Sequence, residues 1–579
     1  MVNWIIHILK VNTPNKVHEN SPRYGLVIYI DVTKVGVGMK KILCVILIFM
    51  TMFTNGCVQK KMTTTISRKY LVYNLGELPS DLLMVDNDNI REKDLLLVLF
   101  EGLVREDKDG KIVPGMAEKY EISKDKIGYT FKLQKNLHYS NGTDIKATDF
   151  VRLFHDILLE KGNVFSDQLY CIFGAKDFSM GKVSFDKVGI VASKDNLSLE
   201  IRLNSPKDNF INILSNPIYT LRDDNMNLKN WKENYKQIDY SGPFIIKDIN
   251  KEGEITLLKN QKYWRANEIV SSEMLFTSVI GDEKALADFE TSGDSKNSKI
   301  DVFVSPPISE ISTLSDEKKT EVKPTQSRYY LNFNLKDTGL VDQNLRNAVN
   351  EIINRKLIIE TLSEDLAVPT MSYTSYTSDS DKLIFDESRN KIKGEDYLKN
   401  STYDKEKKLV MVYENKNFDT KVSGEIAKSI KKYLNIDVVC TGYEKDDLNK
   451  VISSGNYNIE FTGNDEEYGD GYKFFSKWTA NSKDNIYGYK NAEYDKTINK
   501  ALMENNDNKK ITIYNQAQEI LAKDLPCIPV YIANTVICKK ENIKNIYTTK
   551  GGNLKFDYAY KDSSTEIGRA SCRERVYGE

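Results

Sequence analysis

Lys408-Leu-Val-Met-Val-Tyr413 opens the stretch that decides the fold. A short apolar run of this kind, bounded by polar residues, is a buried strand. It is followed by a segment in which Val422, Ile426, Ile430 and Leu434 recur at the spacing of one helical face. Ile436-Asp-Val-Val-Cys440 is the next strand. A helix from about Lys445 to Ser453 is closed by Gly455, and Tyr457 to Phe461 is a third strand. Strand and helix alternating with short connections predict a doubly wound, mainly parallel sheet. In such sheets ligands meet the carboxyl ends of the strands, so the loop after the third strand, Thr462 to Asp470, is a candidate ligand edge.

Upstream the pattern changes. Tyr129-Thr-Phe-Lys-Leu-Gln alternates apolar and polar residues, as a half-buried strand does, and Asn141-Gly142 supplies a turn. Ala147, Phe150, Val151, Phe154, Ile157 and Leu158 then mark an amphipathic helix over Ala147 to Leu159. A second alternating strand, Leu197 to Leu203, joins the first in a largely antiparallel region. Thr291 to Ser298 and Thr374 to Asp381 are polar enough to be exposed loops. With 579 residues the chain exceeds a single core, and about three or four domains are expected.

Charge and chemistry narrow the function. Lys and Arg number 82 against 83 Asp and Glu, so the chain carries no field that would concentrate a polyanion, and nucleic acid is not an expected partner. His138 and His155 lack Cys or His partners at metal-ligand spacing. No phosphate-cradling loop, nucleophile elbow or His-Glu-x-x-His is present, so the chain reads as a binding protein rather than an enzyme, without cofactor or metal. Asp465-Glu466-Glu467 is by itself an ordinary solvated acidic run. Its place in the post-strand loop, ahead of Tyr468, Tyr472, Phe474, Phe475 and Trp478, suits a site that neutralises a ligand ammonium and covers an apolar side chain.

Ile42 to Phe53, after Met39-Lys40-Lys41, is apolar but too short to span a bilayer and reads as the core of a signal peptide over residues 39–56. Thr54-Asn55-Gly56-Cys57 resembles a bacterial lipobox, with Thr54 where Leu is usual, and makes Cys57 the expected lipidation site; a plain secretory signal with an incidental cysteine is the alternative. Residues 1–38 then read as a start set too far upstream, and residues 562–579 as a disordered or foreign tail. Cys171, Cys440, Cys527 and Cys538 sit among apolar residues as buried thiols, with a Cys527–Cys538 bridge across a hairpin as the alternative.

Leu99-Phe-Glu-Gly-Leu103 and Asp109-Gly-Lys-Ile-Val-Pro-Gly-Met-Ala-Glu118 resemble the family 5 solute-binding proteins of peptide and nickel ABC importers. So do Tyr129 to Thr143 with Ala147-Thr-Asp-Phe150, Ser241-Gly-Pro-Phe244, Leu257-Leu-Lys-Asn260 and Tyr263-Trp264. Tyr329-Tyr-Leu-Asn-Phe-Asn334, Leu345-Arg-Asn-Ala-Val349, Asn354-Arg355 and Leu525-Pro-Cys-Ile-Pro-Val-Tyr531 complete the series, in the family's order. Departures are Lys146 where a capping Thr is usual, Thr338-Gly339 where a Pro is common, and Asn354 in place of Asp.

The resemblance implies an α/β fold, periplasmic-binding-protein-like type II, with two α/β lobes joined by a hinge plus an accessory, mainly antiparallel lobe. The first lobe is expected to be discontinuous at 58–104, 241–328 and 526–561, the accessory lobe at 105–240, and the second, ligand-clamping lobe at 329–525. It also implies a monomeric, extracytoplasmic lipoprotein that delivers peptides to the permease subunits of an ABC importer. A peptide-sensing or adhesive lipoprotein, or a binder of a nickel chelate or other small solute, is the alternative. By the resemblance, Gly463, Asn464 and Asp465 bind peptide backbone, Glu467 holds the α-ammonium with Asp470 as its alternate, and Ile90 offers a backbone contact across the cleft. Asn332, Phe333, Asn334 and Asn485 complete the expected ligand set.

Overall fold

The computed structural model describes residues 69–562, apart from 86–88, 161–163, 208, 223–224, 292–299, 337–341, 364, 375–384, 405, 466–470 and 505. The expected signal segment, Cys57 and the tail beyond 562 lie outside these residues.

The described residues open with a fully buried strand, β1 (Leu71–Asn74), and then the helix α1 (Ile90–Leu99). A small hairpin follows, β2 (Val104–Glu106) with β3 (Ile112–Pro114). The alternating segments seen in the sequence form a four-stranded antiparallel sheet from β4 (Ala117–Ile122), β5 (Gly128–Leu133), β6 (Ile190–Ala192) and β7 (Ser198–Arg202), in the order β4-β5-β7-β6. Helix α2 (Ala147–Leu159) packs Phe150, Leu153, Phe154 and Ile157 inward, as its periodicity requires. Its cap shows how the chain manages without the usual Thr. A lysine side chain has no acceptor, so Lys146 cannot bond the first-turn amides; instead Asp149 Oδ2 accepts the Lys146 N–H at 2.8 Å.

The main sheet is assembled from both ends of the sequence. β8 (Phe244–Ile249), β9 (Ile255–Lys259), β10 (Glu273–Thr277) and β11 (Val302–Val304) flank β1, which is parallel to β10 and β11. β12 (Thr320–Phe333) is unusually long. After helix α3 (Gln343–Ile352) and the short β13 (Ala367–Pro369) comes the strand-helix series: β14 (Leu409–Glu414), α4 (Asn417–Leu434), β15 (Val438–Tyr443), α5 (Lys445–Ser454) and β16 (Ile459–Asp465). A second long strand, β17 (Cys527–Lys539), returns antiparallel to β12. The order is β15-β14-β16-β12-β17-β11-β1-β10-β9-β8, with β13 paired to β17.

The expected β-α-β units are therefore present, and β15, β14 and β16 are mutually parallel. Parallel pairing stops there. β16 meets β12 antiparallel, because β12 enters from the other half of the molecule rather than through a crossover helix. β12 and β17 pair along both halves, with a register shift between Pro324 and Arg328 where the ladder passes from one to the other. The buried apolar residues divide accordingly. One large cluster joins β1, α1, α2, β8–β10 and the last segment around Phe556; two others lie in the second half, one around Val422, Ile426 and Ile430 and one around Phe475, Trp478 and Tyr494, and a small fourth gathers Phe289, Phe303 and Cys538.

Several of the motifs noted in the sequence meet in space and act in packing. Gly242 lies so close to α1 that a Cβ there would sit 2.4 Å from the Phe100 nitrogen; its N–H donates to Leu99 O at 2.9 Å, and its own carbonyl accepts from Asn260 Nδ2 at 2.9 Å. Tyr263 Oη donates to Glu101 Oε2 at 2.5 Å. Asn354 caps its helix through the Leu357 N–H, at 3.2 Å, as an Asp would. The four described cysteines are free. Cys527 and Cys538 stand at opposite ends of β17 rather than across a hairpin, which excludes the alternative bridge.

Candidate ligand site

The carboxyl ends of β14 and β16 lie side by side, since Tyr413 pairs with Phe461 in parallel register. β16 runs on past its apolar core through Thr462, Gly463 and Asn464 to Asp465, held by antiparallel pairing with Ser327 to Tyr330 of β12. Gly463, Asn464 and Asp465, expected in a loop, thus extend an edge of ordered backbone. Glu467 and Asp470 lie outside the described residues.

An aromatic stack backs this edge. The Tyr329 and Tyr531 rings lie 4.7 Å apart and nearly parallel, and Phe418, in the first turn of α4, packs edge-on against Tyr531 at 5.4 Å. Beside them Asp419 is buried, with 4 % of its surface exposed. Burial pushes its carboxyl up to about 7, the Lys416 charge opposing and the Glu414 charge reinforcing the shift. Lys416 is itself paired with Glu414 at 2.8 Å. Sequence reading missed Asp419, because an acid in the first turn of a helix is commonplace and nothing local shows that the turn is covered.

Across the passage of β12 and β17, the first half contributes Ile90. It opens α1, and its carbonyl accepts from Asn553 Nδ2 at 2.7 Å. Gly552, next in line, would place a Cβ 3.4 Å from Ile90 Cδ1, 3.4 Å from Thr535 Oγ1 and 3.6 Å from Thr325 Cγ2. Ile90 therefore stands near both long strands at Thr325 and Thr535, and Gly463 pairs with β12 a few residues further on, at Tyr329.

The remaining expected contacts sit elsewhere. Asn332, Phe333 and Asn334 lie at the far end of β12, where Phe333 pairs with Ile459, the first residue of β16. All three are buried, and Asn334 Nδ2 donates to the carbonyls of Gly455 (3.1 Å) and Tyr457 (3.0 Å). Asn485 is spent on its own loop, donating to Thr479 O and Tyr489 O and accepting from the Gly488 and Tyr489 N–H groups. Phe474, Phe475 and Trp478 point into the core around Tyr494 and do not line the edge. Among the described residues no group of His, Cys, Asp and Glu could hold a metal ion; His138 and His155 face Asp144 and Asp156 instead.

Two α/β cores strung on a pair of continuous strands, with ligand-competent strand ends beside the passage, are the architecture of a periplasmic-binding-protein-like fold. Residues 111–485 match the family described as bacterial extracellular solute-binding proteins, family 5 Middle, and the chain belongs to that family. It is 25% identical over 478 residues to the dipeptide-binding protein DppE of Bacillus subtilis, covering 80% of this chain and 87% of that one. It is 26% identical over 481 residues to the oligopeptide-binding protein OppA of the same organism, with the same coverage. Among solved structures, the Escherichia coli murein tripeptide binding protein MppA superposes with a TM-score of 0.71 at 23% identity, over 86% of this chain and 99% of that one.

Proposed function

We propose that the protein captures peptides outside the cell and passes them to the permease subunits of an ABC importer. The observation that carries this reading is that relatives named for binding dipeptides and oligopeptides align along four-fifths of the chain. In this reading the solute lies across the passage of β12 and β17. Gly463, Asn464 and Asp465 meet its backbone, Glu467 or Asp470 receives its α-ammonium, and Ile90 faces it from the first lobe. The lobes run as 58–104, 241–328 and 526–561 for the first, 105–240 for the accessory, and 329–525 for the second, closing as a hinge on a ligand that contacts both. Cys57 carries a lipid that holds the monomeric protein at the membrane; Cys57→Ala then releases it into the soluble fraction.

Native mass spectrometry of freshly purified protein identifies retained cargo. With a cognate peptide in hand, calorimetry tests the site: N-acetylation weakens binding by about 10- to 150-fold, the value of a charged hydrogen bond, and Glu467→Gln reproduces much of that loss. Equal affinity for the acetylated and free peptide ends the assignment of the acid.

A further inference from the structure

A cavity of about 670 Å3 opens where the β2–β3 hairpin meets the connection from β9 to β10 and the segment 545–558. It has the size of a small-molecule site. None of the described residues expected to touch the peptide lines it. Its walls are largely rings. Tyr547 and Tyr558 stack with their centres 6.1 Å apart. The Arg265 guanidinium lies over Trp264 and over Tyr558, its carbon 5.5 Å and 5.9 Å from the ring centres, and its Nη2 donates to Tyr558 Oη at 2.6 Å and to Glu268 Oε2 at 2.5 Å. Pro114 and Val270, the latter 54% exposed, add an apolar lining on the solvent side, so the cavity can be entered without unfolding the core.

The charge of the lining is one-sided. Arg105, Lys108 and Arg265 are cations, and Asp107 is the one acid among the described lining residues. Asp107 is turned to its own hairpin, where Oδ1 accepts the Asp109 and Lys111 N–H groups, each at 2.9 Å. The buried acids behind the wall are engaged as well: Asp557 by Arg105 at 2.9 Å, Glu101 by Tyr263 Oη at 2.5 Å and the Gly102 N–H at 3.1 Å, and Glu106 by the Lys550 N–H at 2.6 Å. Arg105 is not used up by this. Its Nη2 donates to Asp557 and to Tyr547 Oη and its Nε is enclosed, but Nη1 makes no hydrogen bond among the described residues and is not enclosed. On a residue that lines the cavity, this leaves a charged N–H donor open to whatever enters. A guanidinium donor beside ring faces matches a carboxylate or phosphate attached to a ring, and opposes a cation. We infer that this cavity is a second ligand site, for a small anion that carries an aromatic ring. It goes beyond the peptide reading and does not rest on it.

The test uses the full-length protein and calorimetry, with phenyl phosphate and phenylacetate as probes. Inorganic phosphate, acetate and benzyl alcohol are the controls that lack the ring or the charge. In the wild-type protein at least one probe binds with a Kd of about 1 mM or lower, and roughly 10-fold or more tighter than each control. Arg105→Gln removes the open donor and weakens that probe about 10-fold or more. Because Arg105 is buried, Lys108→Glu and Val270→Glu serve as second variants: both positions are exposed, both bring a negative charge to the wall, and each weakens the probe about threefold or more while the melting temperature stays as in the wild-type protein. The proposal is overturned if neither probe binds, if any control binds as tightly as the probes, or if binding survives undiminished in folded Arg105→Gln or in both exposed variants, which would place it elsewhere in the molecule. The peptide reading stands or falls separately, on the cargo that native mass spectrometry finds.

Discussion

Tyr329 and Gly463 face one another across the antiparallel pair of β12 and β16, with the ring lying so flat on the glycine that a Cβ at 463 would be 2.9 Å from Tyr329 Cζ. The glycine is what allows the Tyr329–Tyr531 stack to close beneath the ligand edge. Gly463→Ala is expected to push the ring out and cost about 1–3 kcal/mol of stability, read as a lower urea midpoint. In a Tyr329→Ala background the same change should cost much less, and the double-mutant cycle measures the difference.

Arg105 and Asp557 pair at 2.9 Å with 6% and 4% of their side chains exposed. Arg265 and Lys555 lie within 4.0 Å of the same carboxylate. Removing the acid strands buried cations, so Asp557→Ala is expected to destabilise the protein by about 3–5 kcal/mol. Equilibrium denaturation checks the value; a loss under about 1 kcal/mol would mean that solvent reaches these guanidinium groups.

Asn435 ends α4 in the left-handed region, at φ 55°. Gly is the residue best suited to that conformation and a β-branched side chain the worst. Asn435→Gly should leave the melting temperature unchanged or slightly raised, whereas Asn435→Val should cost about 1–2 kcal/mol. The two variants together separate backbone strain from any loss of side-chain contacts.

Asp419 makes stability depend on pH in an unusual direction. Its carboxyl is pushed up to about 7 in the folded protein, against about 3.9 in an unfolded chain. Between these values the folded state holds the extra proton, so the contribution is fully present at low pH and is lost as pH rises through about 7. The upper bound on the loss is roughly 4 kcal/mol at 1.36 kcal/mol per unit. Asp419→Asn cannot titrate, and its melting temperature should overtake that of the wild-type protein as the buffer is moved from about pH 4 to pH 8. Parallel curves for the two proteins would show Asp419 to be solvated.

Local patterns were legible where local forces decide. The helix over Ala147 to Leu159 has the bounds its apolar periodicity predicts, since one face of it is core throughout. β16 was read as ending near Phe461 but extends to Asp465, because Gly463-Asn-Asp465 disfavours a strand by itself and is held by β12, far away in sequence. Asn334 and Asn485 look like ligand-binding amides in a sequence. Their bonds to Gly455 and Tyr457, and to Thr479 and Tyr489, show them stabilising loops, and the first pair of partners is more than a hundred residues distant. The acid of α4 was invisible for the complementary reason: it is buried in the folded protein, and nothing in its own helical turn shows that.

Asp94 of α1 is held by the Asn553 amide and the Leu554 N–H, groups 459 and 460 residues later in the chain. Biosynthesis runs in one direction. At about 5–20 residues per second, the ribosome delivers those partners roughly 20–90 s after Asp94 itself has been made. During that interval the first core lacks both the bonds to Asp94 and the wedge of Phe556 against Tyr73, at 5.0 Å in the finished protein. A chain released before Asn553 therefore keeps only the bonds that Asp94 makes to its near neighbours, Tyr73 Oη at 2.7 Å and Arg91 at 3.0 Å, and the first core is completed only when nearly the whole chain has been made.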